Sequence, residues 1–205
     1  MLKALPLGIM NYQELIENNY YAVDKTLIIK EFLSNKRKVT LITRPRRFGK
    51  TLNMSMMAEF LDITKDSKDI FQDSQIMETE YAHEMNQWPI IFISFAGAKN
   101  SKETVMSCIK QEILKEYKRY KHVLQVLDEF DQPVFESIKS NLMNINNDSL
   151  QGIETSLSFL MEQIEKYYQK KVILFIDEYD TPFIEAHVNQ FYNDIKDSHH
   201  YFIML

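Results

Sequence analysis

The chain holds a single cysteine, Cys108, and only four glycines among 205 residues. A lone cysteine rules out an intrachain disulfide and gives no sign of an oxidising compartment. Average usage would place about 14 glycines in this length, so collagen-like, glycine-linker and low-complexity classes are excluded. Long apolar runs are scarce as well. One of the longest, residues 172–176, is strand-length and far short of a bilayer span. The opening residues, MLKALPLGIM, have neither the apolar stretch nor the cleavage pattern of a secretory signal. A soluble, cytoplasmic protein with no membrane partner is the expectation.

What remains is a folding composition, 45% hydrophobic and 12% aromatic. No repeat or long linker divides it, so residues 1–205 read as one domain. Net charge is −5, but its distribution is uneven. Between Lys36 and Lys50 lie seven basic residues and no acid, leaving 17 basic against 29 acidic residues elsewhere. Charge runs are usually solvated loops. This one is interrupted by the apolar residues Val39, Leu41 and Ile42 and ends in Gly49, Lys50 and Thr51, which asks for more than a loop.

Residues 39–42 are short, β-branched and apolar, suiting a buried strand, and residues 88–95 and 172–176 read the same way. Leu52, Met56, Met57, Phe60 and Leu61 recur at helical spacing, as do Val105, Ile109, Ile113 and Tyr117. Asn100 and Glu103 resemble a capping pair for that second helix. Asp24 or Thr26 would cap a helix through Leu27, Ile28, Phe32 and Leu33. Further helices are expected over 122–130 and 134–142. Another runs along Ile153, Leu157, Leu160, Ile164 and Tyr167, and a last one along Ile184, Val188, Phe191 and Ile195. Residues 62–87 read as polar and irregular. Strands separated by helices predict an α/β fold, a mainly parallel sheet with helices on its faces and ligands beyond the carboxyl ends of the strands.

Two of the three expected strands end in chemically suggestive groups. A strand, a turn, then Gly49, Lys50 and Thr51 opening a helix is the arrangement of a P-loop. Gly49 lets backbone approach a phosphate, and the helix start points N–H groups and its dipole at the anion. Lys50 would reach the β- and γ-phosphates of a nucleotide, and the Thr51 hydroxyl would bind Mg²⁺. The general pattern wants glycine at position 44, where this chain has Arg44. The strand over 172–176 runs into Asp177 and Glu178, an acid to hold Mg²⁺ and a neighbour to polarise the attacking water. Strand alternation would put these two on opposite faces.

The combination of Leu5 to Gly8, Tyr21 to Thr26, Arg44-Pro45-Arg46-Arg47-Phe48-Gly49-Lys50-Thr51 and Leu174 to Asp180 resembles the AAA-ATPase-like domain family, in motif order over nearly the whole chain. Arg44, a departure from the general P-loop, agrees with that family's version. The resemblance implies a P-loop NTPase-type three-layer sandwich with an extra strand between the P-loop strand and the Asp-Glu strand. It often implies a PD-(D/E)XK nuclease-like domain further on. It implies ATP and Mg²⁺, with Arg46, Arg47, Phe48, Gly49, Lys50, Thr51 and Leu52 around the nucleotide. Lys50 and Glu178 would be catalytic, and Thr51 and Asp177 would hold Mg²⁺. Arg46 and Arg47 would clamp phosphates, touch a nucleic-acid backbone, or pair with acids such as Asp180. Asp24 and Lys25 match another family motif without an assignable role.

Other candidates are weaker. Glu116 and Lys118 form an E-x-K fragment, but on a helical stretch rather than a strand. His83, His122, His187, His199 and His200 show no metal-ligand spacing, Cys108 reads as a small buried side chain, and the aromatics track core periods. Only 27 residues follow Glu178, so the sheet is expected to be incomplete on its C-terminal side and the chain truncated. Two classes stay open: a Mg²⁺-dependent ATPase, weak in this chain, and a nucleotide-binding or protein/nucleic-acid interaction module without turnover.

Overall fold

A computed structural model describes residues 3–43, 48–145 and 150–193. The chain divides into two compact units, residues 1–90 and 91–205.

The first unit is built around helix α3 (Lys50–Leu61), joined by α1 (Tyr12–Glu17), α2 (Leu27–Ser34) and α4 (Lys68–Phe71). Met56, Met57, Phe60 and Leu61 are buried as their spacing predicts, while Leu52 is half-buried. Burial extends around the helix to Asn53, Met54 and Glu59, the signature of a core helix rather than a surface one. Tyr12 stacks on Phe71 at 5.3 Å and Phe60 meets the same ring edge-on at 5.1 Å, tying α1, α3 and α4 into one aromatic cluster. The Asn11 side chain caps α1 through the Glu14 N–H at 2.9 Å.

Residues 62–87, irregular by sequence, contain α4 and two 3₁₀ turns, Gln75–Glu78 and Glu80–Glu84. A buried polar network closes them onto the end of α3. The Ser67 hydroxyl donates to Glu59 Oε1 at 3.0 Å, and Lys65 pairs with the same carboxylate. Asn86 donates to the Asp62 carbonyl at 2.9 Å and accepts the Ser67 N–H at 3.0 Å. The Glu59 carboxylate that α3 buries is thus hydrogen-bonded and ion-paired, which offsets the cost of burying it.

Residues 39–42 form no strand. Val39 is 79% and Leu41 63% exposed. A strand persists only with a neighbour to take its backbone hydrogen bonds, and among the described residues no strand runs beside this one. β-branched composition alone was not enough.

The second unit carries a two-stranded parallel sheet of β1 (Ile90–Ser94, its first residue closing the preceding unit) and β2 (Ile173–Asp177). Between them run α5 (Lys102–Arg119), the short α6 (Lys121–Leu124), α7 (Asp131–Met143) and α8 (Ser156–Tyr168), and α9 (Thr181–Val188) follows β2. This is a mixed α/β chain, as expected. Val105, Ile109, Ile113 and Tyr117 of α5 pack with Ile153, Leu157, Leu160 and Ile164 against Ile91, Ile93 and Phe175 of the strands. Tyr117 donates to the Ser156 carbonyl at 2.7 Å, so its hydroxyl is satisfied inside the core.

Three details differ from the sequence expectation. Ser101 rather than Asn100 caps α5, through the Thr104 N–H at 3.3 Å. Asn100 is left-handed at φ +76° and gives its N–H to Glu185. The helix expected over 122–130 shrinks to α6. On α9 the buried residues are Thr181, Pro182 and Ala186, whereas Ile184 and Val188 face solvent, and Ile195 lies outside the described residues. An eight-residue helix is too short for a periodic pattern to fix its buried face.

Candidate functional site

In the first unit, Gly49 is the N-cap of α3, left-handed at φ +75° and ψ 26°. Its carbonyl accepts the Asn53 N–H at 2.9 Å, closing the first helical turn. An added Cβ would meet nothing within 4 Å, so glycine is favoured here by backbone conformation and not by space. Among the described residues no side chain caps this end, and no acid occupies the first turn of the helix, where its dipole is positive. Lys50, Thr51 and Leu52 form that first turn, each half-buried, and Phe48 is 61% exposed. The burial of α3 fixes where this turn sits. Arg44, Arg46 and Arg47 lie outside the described residues.

In the second unit, β2 delivers Asp177 to its carboxyl end. Asp177 is buried, and its carbonyl accepts the Phe95 N–H at 3.0 Å, pinning the strand tip to the residue just beyond β1. Glu178 then leaves the strand in the left-handed region at φ +52°, so the alternation expected for the pair does not apply. A non-glycine residue there costs about 1–3 kcal/mol and persists where its surroundings enforce it. Thr181 supplies that enforcement. Its N–H donates to the Glu178 carbonyl at 3.0 Å, and its hydroxyl to Glu178 Oε2 at 3.4 Å. Asp180 occupies the N-cap position of α9 without a capping bond, and Tyr179 is exposed.

Two further groups matter in the first unit. Asp24 accepts N–H bonds from Thr26 at 2.7 Å and Gln75 at 2.8 Å, and the buried Thr26 hydroxyl accepts the Ile76 N–H at 3.0 Å. Neither side chain caps α2 as expected. Both instead tie residues 24–26 to the first 3₁₀ turn, and this is the role chemistry alone did not assign to Asp24. Burial would raise the Asp24 carboxyl, but the bonds from Gln75 and Thr26 outweigh it and hold it below the ordinary range. Burial, with the Asp24 charge added, pushes the Tyr12 phenol up to about 12. Lys25 is exposed.

Thr181 went unnoticed in the sequence, although Thr followed by Pro after an acidic run is a readable helix start. A cleft of about 690 Å³ in the second unit is lined by Ser94, Thr104, Cys108 and Glu112 among others, and by none of the expected site residues. Burial and Glu112 push the Cys108 thiol up against the opposing Gly97 N–H, the reverse of what a nucleophile needs.

Comparison with known proteins gives this arrangement a family. The model of a family described as "Predicted AAA-ATPase" matches residues 6–204. The chain is also 26% identical over 195 residues to the "Uncharacterized protein in vnfD 5'region" of Azotobacter chroococcum mcd 1, an alignment covering 89% of this chain and 30% of that protein. The chain therefore spans about a third of that relative's length. No solved structure matches it. Among the described residues, no helix is long and apolar enough to cross a membrane. The chain belongs to the predicted AAA-ATPase family.

Proposed function

We propose that this member of the predicted AAA-ATPase family binds ATP with Mg²⁺, as the nucleotide-binding part of a P-loop three-layer sandwich. The observation that carries the reading is Gly49, left-handed at φ +75° at the start of a twelve-residue buried helix that opens Lys50, Thr51, Leu52. A motif found by spelling is there also a backbone shape that suits a phosphate. In this reading Phe48 to Leu52, with Arg46 and Arg47 before them, surround the nucleotide. The Lys50 ammonium pairs with the β- and γ-phosphates. The Thr51 hydroxyl and the Asp177 carboxylate are hard oxygen donors suited to Mg²⁺, a cation that takes one or two protein oxygens and fills its shell with phosphate and water. Held there, the ion would supply positive charge to offset that of the phosphates. Glu178, held by Thr181, orients and polarises the attacking water.

Turnover is proposed to be weak. The segment leading into the phosphate loop, residues 39–42, has no sheet partner among the described residues, whereas preorganised catalysis relies on a rigid platform. Steady-state phosphate release with Mg²⁺-ATP tests this, with Lys50→Ala and Glu178→Gln as controls. The expected result is slow release abolished by either substitution. Fast, Lys50-dependent turnover would overturn the weak-turnover reading, and release unaffected by Lys50→Ala would overturn the site.

A further inference from the structure

Within a strand the pleat aims each side chain, because successive residues point to opposite faces. At φ +52° Glu178 has left the strand, and that constraint no longer applies to it. A glutamate that must hold one orientation gives up much side-chain freedom. A carboxylate that acts on a water therefore needs another group to select its direction. Thr181 reaches both ends of the residue. Its N–H donates to the Glu178 carbonyl at 3.0 Å, and its hydroxyl donates to Glu178 Oε2 at 3.4 Å. One threonine thus restrains the turn and the carboxylate together.

Thr181 is itself held in place. It opens α9 and is buried, as are Pro182 beside it and Ala186 further along the helix. The Pro182 ring presets a helical φ in the first turn, where its missing N–H costs nothing. Glu185 Oε2 accepts the Asn100 N–H at 3.0 Å, tying α9 to the residues ahead of α5. The hydroxyl that meets Glu178 therefore stands on an anchored element. Ordinary structural needs do not ask for this hydroxyl. Asp180, not Thr181, occupies the N-cap position, and no side chain makes a capping bond there. β-Branching disfavours a helix slightly, and a buried apolar side chain would fill the same space without a polar group to satisfy.

We propose that Thr181 is the positioning residue for Glu178, its hydroxyl selecting the carboxylate orientation that activates water. The inference rests on the reading of Glu178 as the group that polarises the attacking water. Thr181 acts through Glu178 and has no part in holding the nucleotide, so its loss belongs in kcat and not in KM. Steady-state phosphate release with Mg²⁺-ATP provides the test, on the 205-residue chain and its Thr181→Val, Thr181→Ser and Lys50→Ala variants. Valine keeps the shape and the backbone bond but drops the hydroxyl. Thr181→Val should lower kcat by about 10- to 100-fold, the scale of a slightly misplaced group, with KM for ATP within about twofold of wild type. Thr181→Ser restores the hydroxyl and should recover at least about half of the wild-type kcat. A purely structural threonine would not give that split or that rescue. Wild-type kcat in Thr181→Val beside an inactive Lys50→Ala would overturn the positioning role and leave the nucleotide site standing. So would a loss confined to KM, or a serine variant no better than valine when circular dichroism and urea unfolding show both folded. Wild-type release that does not depend on Lys50 would overturn the positioning role and the site together.

Discussion

Gly49→Ala separates what this glycine does for the fold from what it does for a ligand. The residue sits at φ +75°, where an L side chain costs about 1–2 kcal/mol. Nothing lies within 4 Å of the added methyl carbon, so no packing penalty joins that cost. Alanine also loses less conformational freedom on folding than glycine, which offsets about 0.4–1 kcal/mol. The net expectation is a destabilisation of about 0.5–1.5 kcal/mol, or a melting temperature lower by roughly 1–5 °C in a chain of this size. The ligand effect should be larger. A nucleotide at about 100 times its dissociation constant stabilises the wild type by ~2.7 kcal/mol. The methyl would stand where the phosphates approach, so most of that ATP-induced shift should vanish. Urea unfolding measures the first quantity, and thermal melts with and without Mg²⁺-ATP measure the second. An apo loss beyond about 3 kcal/mol would mean that the site is packed and not merely left-handed. A wild-type ATP shift in the variant would mean that no phosphate approaches this backbone.

Other substitutions test the surrounding structure. Thr26→Val leaves the buried Ile76 N–H without its acceptor, so urea unfolding should show a loss of about 1–3 kcal/mol; a loss under 0.5 would contradict the tether. The depressed Asp24 carboxyl contributes stability that is full above its unfolded value of about 3.9 and is lost as pH falls through the lower folded value. Asp24→Asn should remove that part of the acid dependence, and an unchanged acid limb of stability against pH would refute it. For Tyr12 the sign is opposite. A phenol raised to about 12 contributes stability that is full below pH ~10 and is lost as pH rises to its folded value. Tyr12→Phe should flatten the alkaline limb, and spectrophotometric titration should show one fewer late-ionising tyrosine. Glu178→Gly relieves a left-handed residue and should melt no lower than wild type while abolishing turnover; a fall of more than a few degrees would show that the turn is not strained.

Much of the fold was legible because helices write their burial locally. In α3, α5 and α8 most of the apolar residues three and four apart end up in the core, Leu52 and Tyr167 being the exceptions, and the two apolar runs that became β1 and β2 are bounded by the polar groups that end them. The strand expected at residues 39–42 failed for a physical reason, since pairing depends on a neighbour and not on the segment's own composition. Asp24 and Thr26 were opaque because their partners, Gln75 and Ile76, lie about fifty residues along the chain. At the candidate site, the residue types and their order were readable from spacing. The left-handed backbone of Glu178 was not, because nothing in an Asp-Glu pair announces where the strand stops. Nor was the exposure of Tyr167, which continues the core period of α8 on paper while its ring is half in solvent.

The most direct test of the central claim is an equilibrium titration of the chain with a fluorescent ATP analogue in Mg²⁺, run in parallel on Lys50→Ala. The account predicts saturable binding to the wild type and a loss of about 10- to 100-fold in the variant, the worth of one charge-assisted contact to phosphate. Equal affinity in two folded proteins, or no binding to either at millimolar nucleotide, would contradict it.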